Sequence, residues 1–214
     1  MKQKNRRDPN RELIVSAVAL IAVLAGGASA HAADGAGIYL EPSLTYELGN
    51  STTHYPSPLS DASGTLEGFG VGARAGMHVS EAFLLGLDAR YSMPQFKDSS
   101  VSYDARAVAW NFGPVIGMQM PIVGLRLWAS YIAGGGLDPE KSGSVDVKFT
   151  EATGYRVGAG MRLAAVSLNL EFQQLKYNKG ALESLGPFSP GTNLDSVNPD
   201  VKSWIASVSF PLEL

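Results

Sequence analysis

Residues 166–173 read Val-Ser-Leu-Asn-Leu-Glu-Phe-Gln, apolar and polar side chains taking turns without a break. A strand sends successive side chains to opposite faces, whereas a helix brings back the same face only about every 3.6 residues. No helix segregates Val166, Leu168, Leu170 and Phe172 from Ser167, Asn169, Glu171 and Gln173. The same period returns along the chain. Near 37–48, Ile38, Leu40, Leu44, Tyr46 and Leu48 alternate with Tyr39, Glu41, Ser43, Thr45 and Glu47. Near 65–80, Phe69, Val71, Ala73, Ala75, Met77 and Val79 alternate with glycines, Arg74 and His78. Near 82–93, Phe83, Leu85, Leu87, Ala89 and Tyr91 alternate with Gly86, Asp88, Arg90 and Ser92. Further alternating segments lie near 122–134, 147–163 and 201–214, with Arg126, Arg156 and Arg162 on their polar faces.

One segment resists. Over 102–120, Asp104 and Arg106 share parity with Val108, Trp110 and Phe112. A β-bulge shifts parity by one residue. Pro114 lacks an N–H for a ladder, so Asn111–Pro114 is one place where a bulge fits; the parity alone does not place the break.

The start of the chain is an address. Lys2 to Arg11 is basic, Leu13 to Ala25 is apolar apart from Ser16, and Ala28-Ser29-Ala30 has the small-x-small spacing of a signal-peptidase site. Ala30-His31-Ala32 offers a second cut, so cleavage is expected after Ala30 or Ala32. The apolar run is too short for a membrane-spanning helix, which takes about 20 residues. Residues 1–32 are thus expected to be a signal peptide and 33–214 one β-barrel domain.

The sequence has no cysteine, which excludes disulfides, thiolate metal sites and a cysteine nucleophile. Its net charge is −3; without residues 1–30, which hold 5 basic and 2 acidic residues, 12 basic and 18 acidic remain, or −6. An acidic chain is a poor nucleic-acid binder, because such binding draws on phosphate neutralisation.

Eight strands follow, and their expected connections differ in length. Those near 80–82, 120–123 and 163–166 are short. Those near 49–64, 94–101, 135–146 and 179–200 are long and rich in Gly, Pro, Ser, Asn and Asp. Up-and-down strands place all short links at one end and all long ones at the other, the layout of outer-membrane barrels. Past the leader no stretch is apolar enough for a spanning helix. A closed barrel is the remaining way to pair every backbone group in hydrocarbon.

Eight strands enclose a lumen that side chains can fill. The polar face mixes glycine with Glu41, Arg74, Asp88, Arg90, Arg126, Arg156, Arg162 and Glu171, which predicts an internal network of ion pairs and hydrogen bonds. The other face carries almost no charge, as lipid contact requires. Tyr46, Tyr91, Tyr131, Tyr155, Tyr177 and Trp204 suit interfacial aromatic girdles. A secreted soluble barrel would point the apolar face inward; the loop asymmetry, the missing cysteines and the closing strand argue against it.

These eight alternating segments, the Arg/Glu/Asp face and the closing segment Trp204-Ile-Ala-Ser-Val-Ser-Phe-Pro-Leu-Glu-Leu214 resemble the small eight-stranded outer-membrane barrels, the OmpA transmembrane domain and OmpX- and OmpW-type proteins. The resemblance implies a cell outer-membrane location in a Gram-negative envelope. It also implies contact with bilayer and lipopolysaccharide, and recognition of the last strand by the barrel-assembly machinery through Trp204, Val208, Phe210, Leu212 and Leu214. The chain departs from that pattern in ending on Leu214 rather than an aromatic residue.

Chemistry is sparse. His78-Val79-Ser80-Glu81 holds a base, a nucleophile and an acid, and barrel lipid A deacylases use a His-x-Ser pair. Its place at a short turn, on the periplasmic side, argues for a lumen or turn histidine instead. Asp138, Glu140 and Asp146, and likewise Asp195 and Asp200, read as solvated acidic loops, since they lack the spacing of a calcium loop. No cofactor, metal site or catalytic residue is expected. The leading expectation is a structural or surface-interaction barrel, with Tyr55, Leu59, Leu66, Phe149, Leu185 and Phe188 in or beside the loops. A narrow channel for small or apolar solutes comes second and a lipid-modifying enzyme third.

Overall fold

The alternation at 166–173 lies inside a strand of 20 residues, Val166–Leu185, far longer than the clean pattern. The computed structural model describes residues 37–58, 60–80, 82–98, 103–120, 124–142, 145–185, 192–194 and 196–213. The expected signal peptide with its cleavage positions, and Leu59, Glu81, Phe188, Asp195 and Leu214, lie outside the described residues.

The strands are β1 (Ile38–His54), β2 (Ala62–His78), β3 (Phe83–Asp98), β4 (Tyr103–Met120), β5 (Leu125–Ile132), β6 (Gly134–Pro139), β7 (Val145–Leu163), β8 (Val166–Leu185), β9 (Thr192–Asn193), β10 (Asn198–Ser209) and β11 (Leu212–Glu213). Every pairing is antiparallel, and β10 and β11 pair with β1, so the sheet closes on itself. β5 and β6 are two halves of one stave between β4 and β7, and β10 and β11 make another. The result is an eight-stave antiparallel barrel, with the two-residue β9 lying on β8.

The short links fall at one end. Ala164, at the tight β7–β8 turn, has φ 58°, and Gly124, at the β4–β5 turn, has φ 67°. A side chain on Gly124 would put its Cβ 2.7 Å from the Arg162 carbonyl oxygen, so glycine is required there on both counts. By the usual arrangement this end is periplasmic and the other faces outward.

At that outer end the strands overrun the expected loops. β1 continues to His54, β3 to Asp98 and β8 to Leu185, so much of the Gly-, Ser- and Asn-rich sequence read as loop is paired strand. Backbone pairing within a closed sheet outweighs the weak strand propensity of those residues.

The bulge expected in the fourth segment is absent from it. β4 holds one register against β3 from Phe83 opposite Met118 to Asp98 opposite Tyr103. The extra residue is Ala133 of the neighbouring stave: Val115 faces Ser130, yet Phe112 faces Gly134. Asp104 and Arg106 therefore stay on the outward face with Trp110 and Phe112. Charge is tolerated there because those two residues stand beyond the hydrocarbon, in water.

The apolar face points out along the middle and short-turn end of the barrel. Phe69, Met77, Leu85, Leu87, Leu168 and Leu170 are all exposed. Tyr46 packs on Phe69, Tyr155 on Phe172, and Phe172 on Trp204, with ring centroids 4.7, 6.3 and 5.3 Å apart. These rings lie at one level and form an outer girdle, above which the outward positions turn polar: Glu67, Lys97, Asp104, Arg106, Lys176 and Lys202. Tyr177, expected in that girdle, is instead buried inside, because it shares parity with Gln173 and Leu175.

Candidate functional site within the barrel

Most inward positions at mid-barrel are polar or glycine, Val115, Trp128 and Ile205 apart, and the side chains meet across the lumen. Arg126 grips Glu41 with both terminal nitrogens, at 2.6 and 3.0 Å, and also bonds to the Tyr39 hydroxyl. Arg156 donates to Asp88 at 2.6 Å, to Asn111 at 2.6 Å and to Gln173. Arg90 pairs with Glu171, and Ser130 donates to Asp88 at 2.9 Å. Arg74 lies 3.4 Å from Glu41 and stacks its guanidinium 3.9 Å above the Trp128 ring. Glu47 accepts from Ser203 at 2.6 Å and Gln173 at 3.2 Å.

Four arginines (Arg74, Arg90, Arg126, Arg156) thus meet four carboxylates (Glu41, Glu47, Asp88, Glu171), and all eight residues are buried. Such a cluster is tolerated because each arginine has a carboxylate within ion-pair distance and Arg90, Arg126 and Arg156 share directed hydrogen bonds with theirs, while Glu47 is held by Ser203 and Gln173. The glycines opposite leave it room. A Cβ on Gly158 would come 2.4 Å from the Trp128 ring and 2.7 Å from Glu171 Cγ.

Of the eight charged residues singled out in the sequence, seven come together here. Arg162 does not: it sits at the short-turn end, half-buried, paired with Glu213. Tyr39, Glu47, Asn111, Gln173 and Ser203 also belong to the cluster. All but Asn111 were visible as polar-face positions of alternating segments, Ser203 on the last strand among them; Asn111 was hidden by the apparent parity fault of β4.

A second layer has no counterpart in the sequence reading. Above the charges, toward the outer end, Leu66, Phe96, Ala105, Ala107, Ala109, Ile132, Leu137, Phe149, Ala152, Leu175, Tyr177 and Val201 form one buried apolar cluster. Parity shifts build it. On the β5–β6 stave the inward positions pass from Ile132 to Leu137 across Ala133; on β7 they pass from Ala152 to Phe149 across Glu151, at φ 55°. Without these shifts Asp138 would point inward in place of Leu137. Leu66 and Phe149, expected at the surface among loop contacts, are 2% and 4% exposed and belong to this plug.

The remaining polar candidates are local. Ser80 caps its own turn, accepting the backbone N–H of Ala82 and of Phe83 at 3.4 and 3.3 Å, while the His78 ring meets Tyr39 edge-on at 5.5 Å. Asp138 is neutralised by Lys148 at 3.0 Å, and its hydrogen bond holds the Lys148 ammonium above the usual lysine range. Asp200 lies 3.5 Å from His54, which also binds Asp61 at 2.8 Å. Among the described residues no group of three or more His, Asp or Glu is arranged to hold a metal ion.

Among solved structures the chain is similar to the outer membrane protein OprG of Pseudomonas aeruginosa, at 9% identity and a TM-score of 0.51, over 85% of this chain and 98% of that one. It is also similar to Neisserial surface protein A (13% identity, TM-score 0.44, 83% and 99% covered). A third is Ail, the attachment invasion locus protein of Yersinia pestis, solved with the heparin analogue sucrose octasulfate (10% identity, TM-score 0.44, 84% and 100% covered). At such identities the likeness is one of fold. None of the curated proteins matches the chain in sequence. The family model for the outer membrane protein beta-barrel domain matches residues 18–210, and with the closed eight-stave barrel and its lipid-facing apolar wall, the chain belongs to that outer-membrane family.

Proposed function

We propose that this barrel is a sealed scaffold of the outer membrane, anchoring in the bilayer and offering its projecting outer end to other molecules, rather than a channel. One observation carries the reading: the lumen is closed twice in series, by the charged cluster and by the apolar plug above it. Arg156 and Glu171 in the charged cluster and Ile132 and Leu137 in the plug are each 0% exposed, fully shielded from solvent at either end. An ion entering would have to break paired charges in a low-dielectric interior and then cross a dry layer.

The outward strand extensions fit a surface role. They keep their outer faces polar and their inner faces largely apolar, with Thr53 donating to Asp98 among the buried side chains, the pattern of a water-soluble barrel set on a membrane one. Lipopolysaccharide is the natural neighbour of that rim. Recognition by the assembly machinery through the last strand is supported by Trp204 and Val208, which face outward along β10.

Planar-bilayer recording of the refolded protein tests the reading. Silence over long recordings is the expected result; steady openings of one size would overturn it in favour of a narrow channel.

A further inference from the structure

Most charged side chains above the outer girdle are already matched. Lys97 pairs with Asp104, Lys148 with Asp138, and Lys179 with Glu151. Lys176 and Lys202 differ: both are exposed, and neither makes an ion pair with any described residue. They are also neighbours. The β8–β10 register sets Lys202 opposite Gln174 and Lys176 opposite Asp200, so the two lysines project diagonally from one outward face, with backbones roughly 7–8 Å apart. Asp200, the nearest carboxylate by register, turns toward His54. Two like charges at that spacing repel unless an anion lies between them.

What lies around them fits a lipid anion. Immediately toward the membrane are Trp204 and Tyr155, exposed, packed on either side of Phe172. Tyr155 donates its hydroxyl to the Gln174 carbonyl oxygen at 3.2 Å, which leaves the Gln174 amide N–H groups free to donate beside the lysines. Asn50 of β1 stands opposite Lys202. An aromatic floor at acyl-chain level beneath paired ammonium groups at headgroup level is complementary to a phosphate carried on an acylated lipid. Aromatic rings favour that boundary, and lysine ammonium groups bind phosphate as point charges.

We infer that the outward face of β8 and β10 around Lys176 and Lys202 is a docking site for the phosphate of an outer-leaflet glycolipid, the lipid A part of lipopolysaccharide. The site deepens the reading of the protein as a sealed scaffold and rests on its outer-membrane orientation, not on its lumen.

The test is binding of purified diphosphorylated lipid A to the refolded full barrel in detergent, followed by native mass spectrometry. Its companions are enzymatically dephosphorylated lipid A and inorganic phosphate as a competitor. Lys176→Gln with Lys202→Gln is compared with Lys97→Gln, which removes a paired charge from the far wall. The site predicts at least a tenfold loss of affinity in the double variant, a similar loss on dephosphorylation, and less than a twofold change in Lys97→Gln. Equal losses in both variants would mean diffuse attraction and overturn the site. So would a double variant that binds like the parent, or displacement of the lipid by millimolar inorganic phosphate alone. An unchanged gel shift between unheated and boiled samples verifies that each variant is folded. Conductance of the same preparations is read separately: openings in the parent would sink the sealed-scaffold reading while leaving the lipid site to stand or fall on its own binding data.

Discussion

Arg156 and Asp88, 68 residues apart in the chain, meet inside the barrel at 2.6 Å, with side chains 0% and 1% exposed. The pair joins β7 to β3 through the lumen rather than through the sheet. Its worth lies less in net stabilisation than in the cost of leaving one member alone, because a buried unpaired charge has no water to turn to.

Asp88→Ala takes from the Arg156 guanidinium its nearest carboxylate, leaving it Glu171 at 3.7 Å, and removes the acceptor of Ser130. The expected loss of unfolding free energy is about 3–5 kcal/mol, measured by denaturant titration of the protein in lipid vesicles. Replacing both residues by apolar ones, Asp88→Ala with Arg156→Met, recovers much of that loss. A single variant as stable as the parent would show that the pair is not held in the folded lumen.

Gly158 tests how tightly the cluster is packed. A methyl group there meets the Trp128 ring and Glu171 Cγ at distances that no relaxed contact allows. Gly158→Ala pushes Trp128 off the Arg74 guanidinium it now supports and costs roughly 1–3 kcal/mol. With Trp110 and Trp204 replaced by Phe, the emission of Trp128 reports the shift; an unchanged spectrum and midpoint would mean the lumen has slack.

Much of this was readable in the sequence because lipid and a charged lumen impose opposite chemistries on alternate residues. Val166 to Gln173 shows both faces in eight letters, and parity sets Glu41, Arg74, Asp88 and Glu171 on one face, which the loop asymmetry then assigns to the interior. What stayed hidden lies beyond the membrane. There the outer face meets water and the inner face is dry, so the code inverts: Asp104 and Arg106 face outward on the same strand face as Trp110. Leu137 and Phe149 were equally hard to place, since their inward aim depends on parity shifts at Ala133 and Glu151, which follow from tertiary packing and have no local signature. Long polar strand ends such as Gly49–His54 look like loop for the same reason.

The apolar plug makes a separable contribution. Leu137 is fully buried among Phe149, Ala107 and their neighbours, so Leu137→Ala is expected to cost roughly 2–5 kcal/mol. It is not expected to open a pore, because Arg156 and Glu171 still close the lumen beneath. Bilayer recordings of Leu137→Ala and of a variant that also carries Arg156→Ala separate the two seals. Openings in the first alone would show that the plug is the sole barrier.

The depth of the hydrocarbon layer can be read on β2 itself. Ala73, midway between Phe69 and Met77 on the outward face, lies at the centre of the apolar band, while Thr65 stands above the girdle on the same face. Arginine at Ala73 must drag its charge toward a headgroup layer and is expected to cost about 2–4 kcal/mol; at Thr65 the cost is about 0–1 kcal/mol. Unfolding titrations of Ala73→Arg and Thr65→Arg in vesicles measure the difference directly. Equal losses would move the membrane boundary outward past Thr65, and with it the level at which Lys176 and Lys202 meet lipid headgroups.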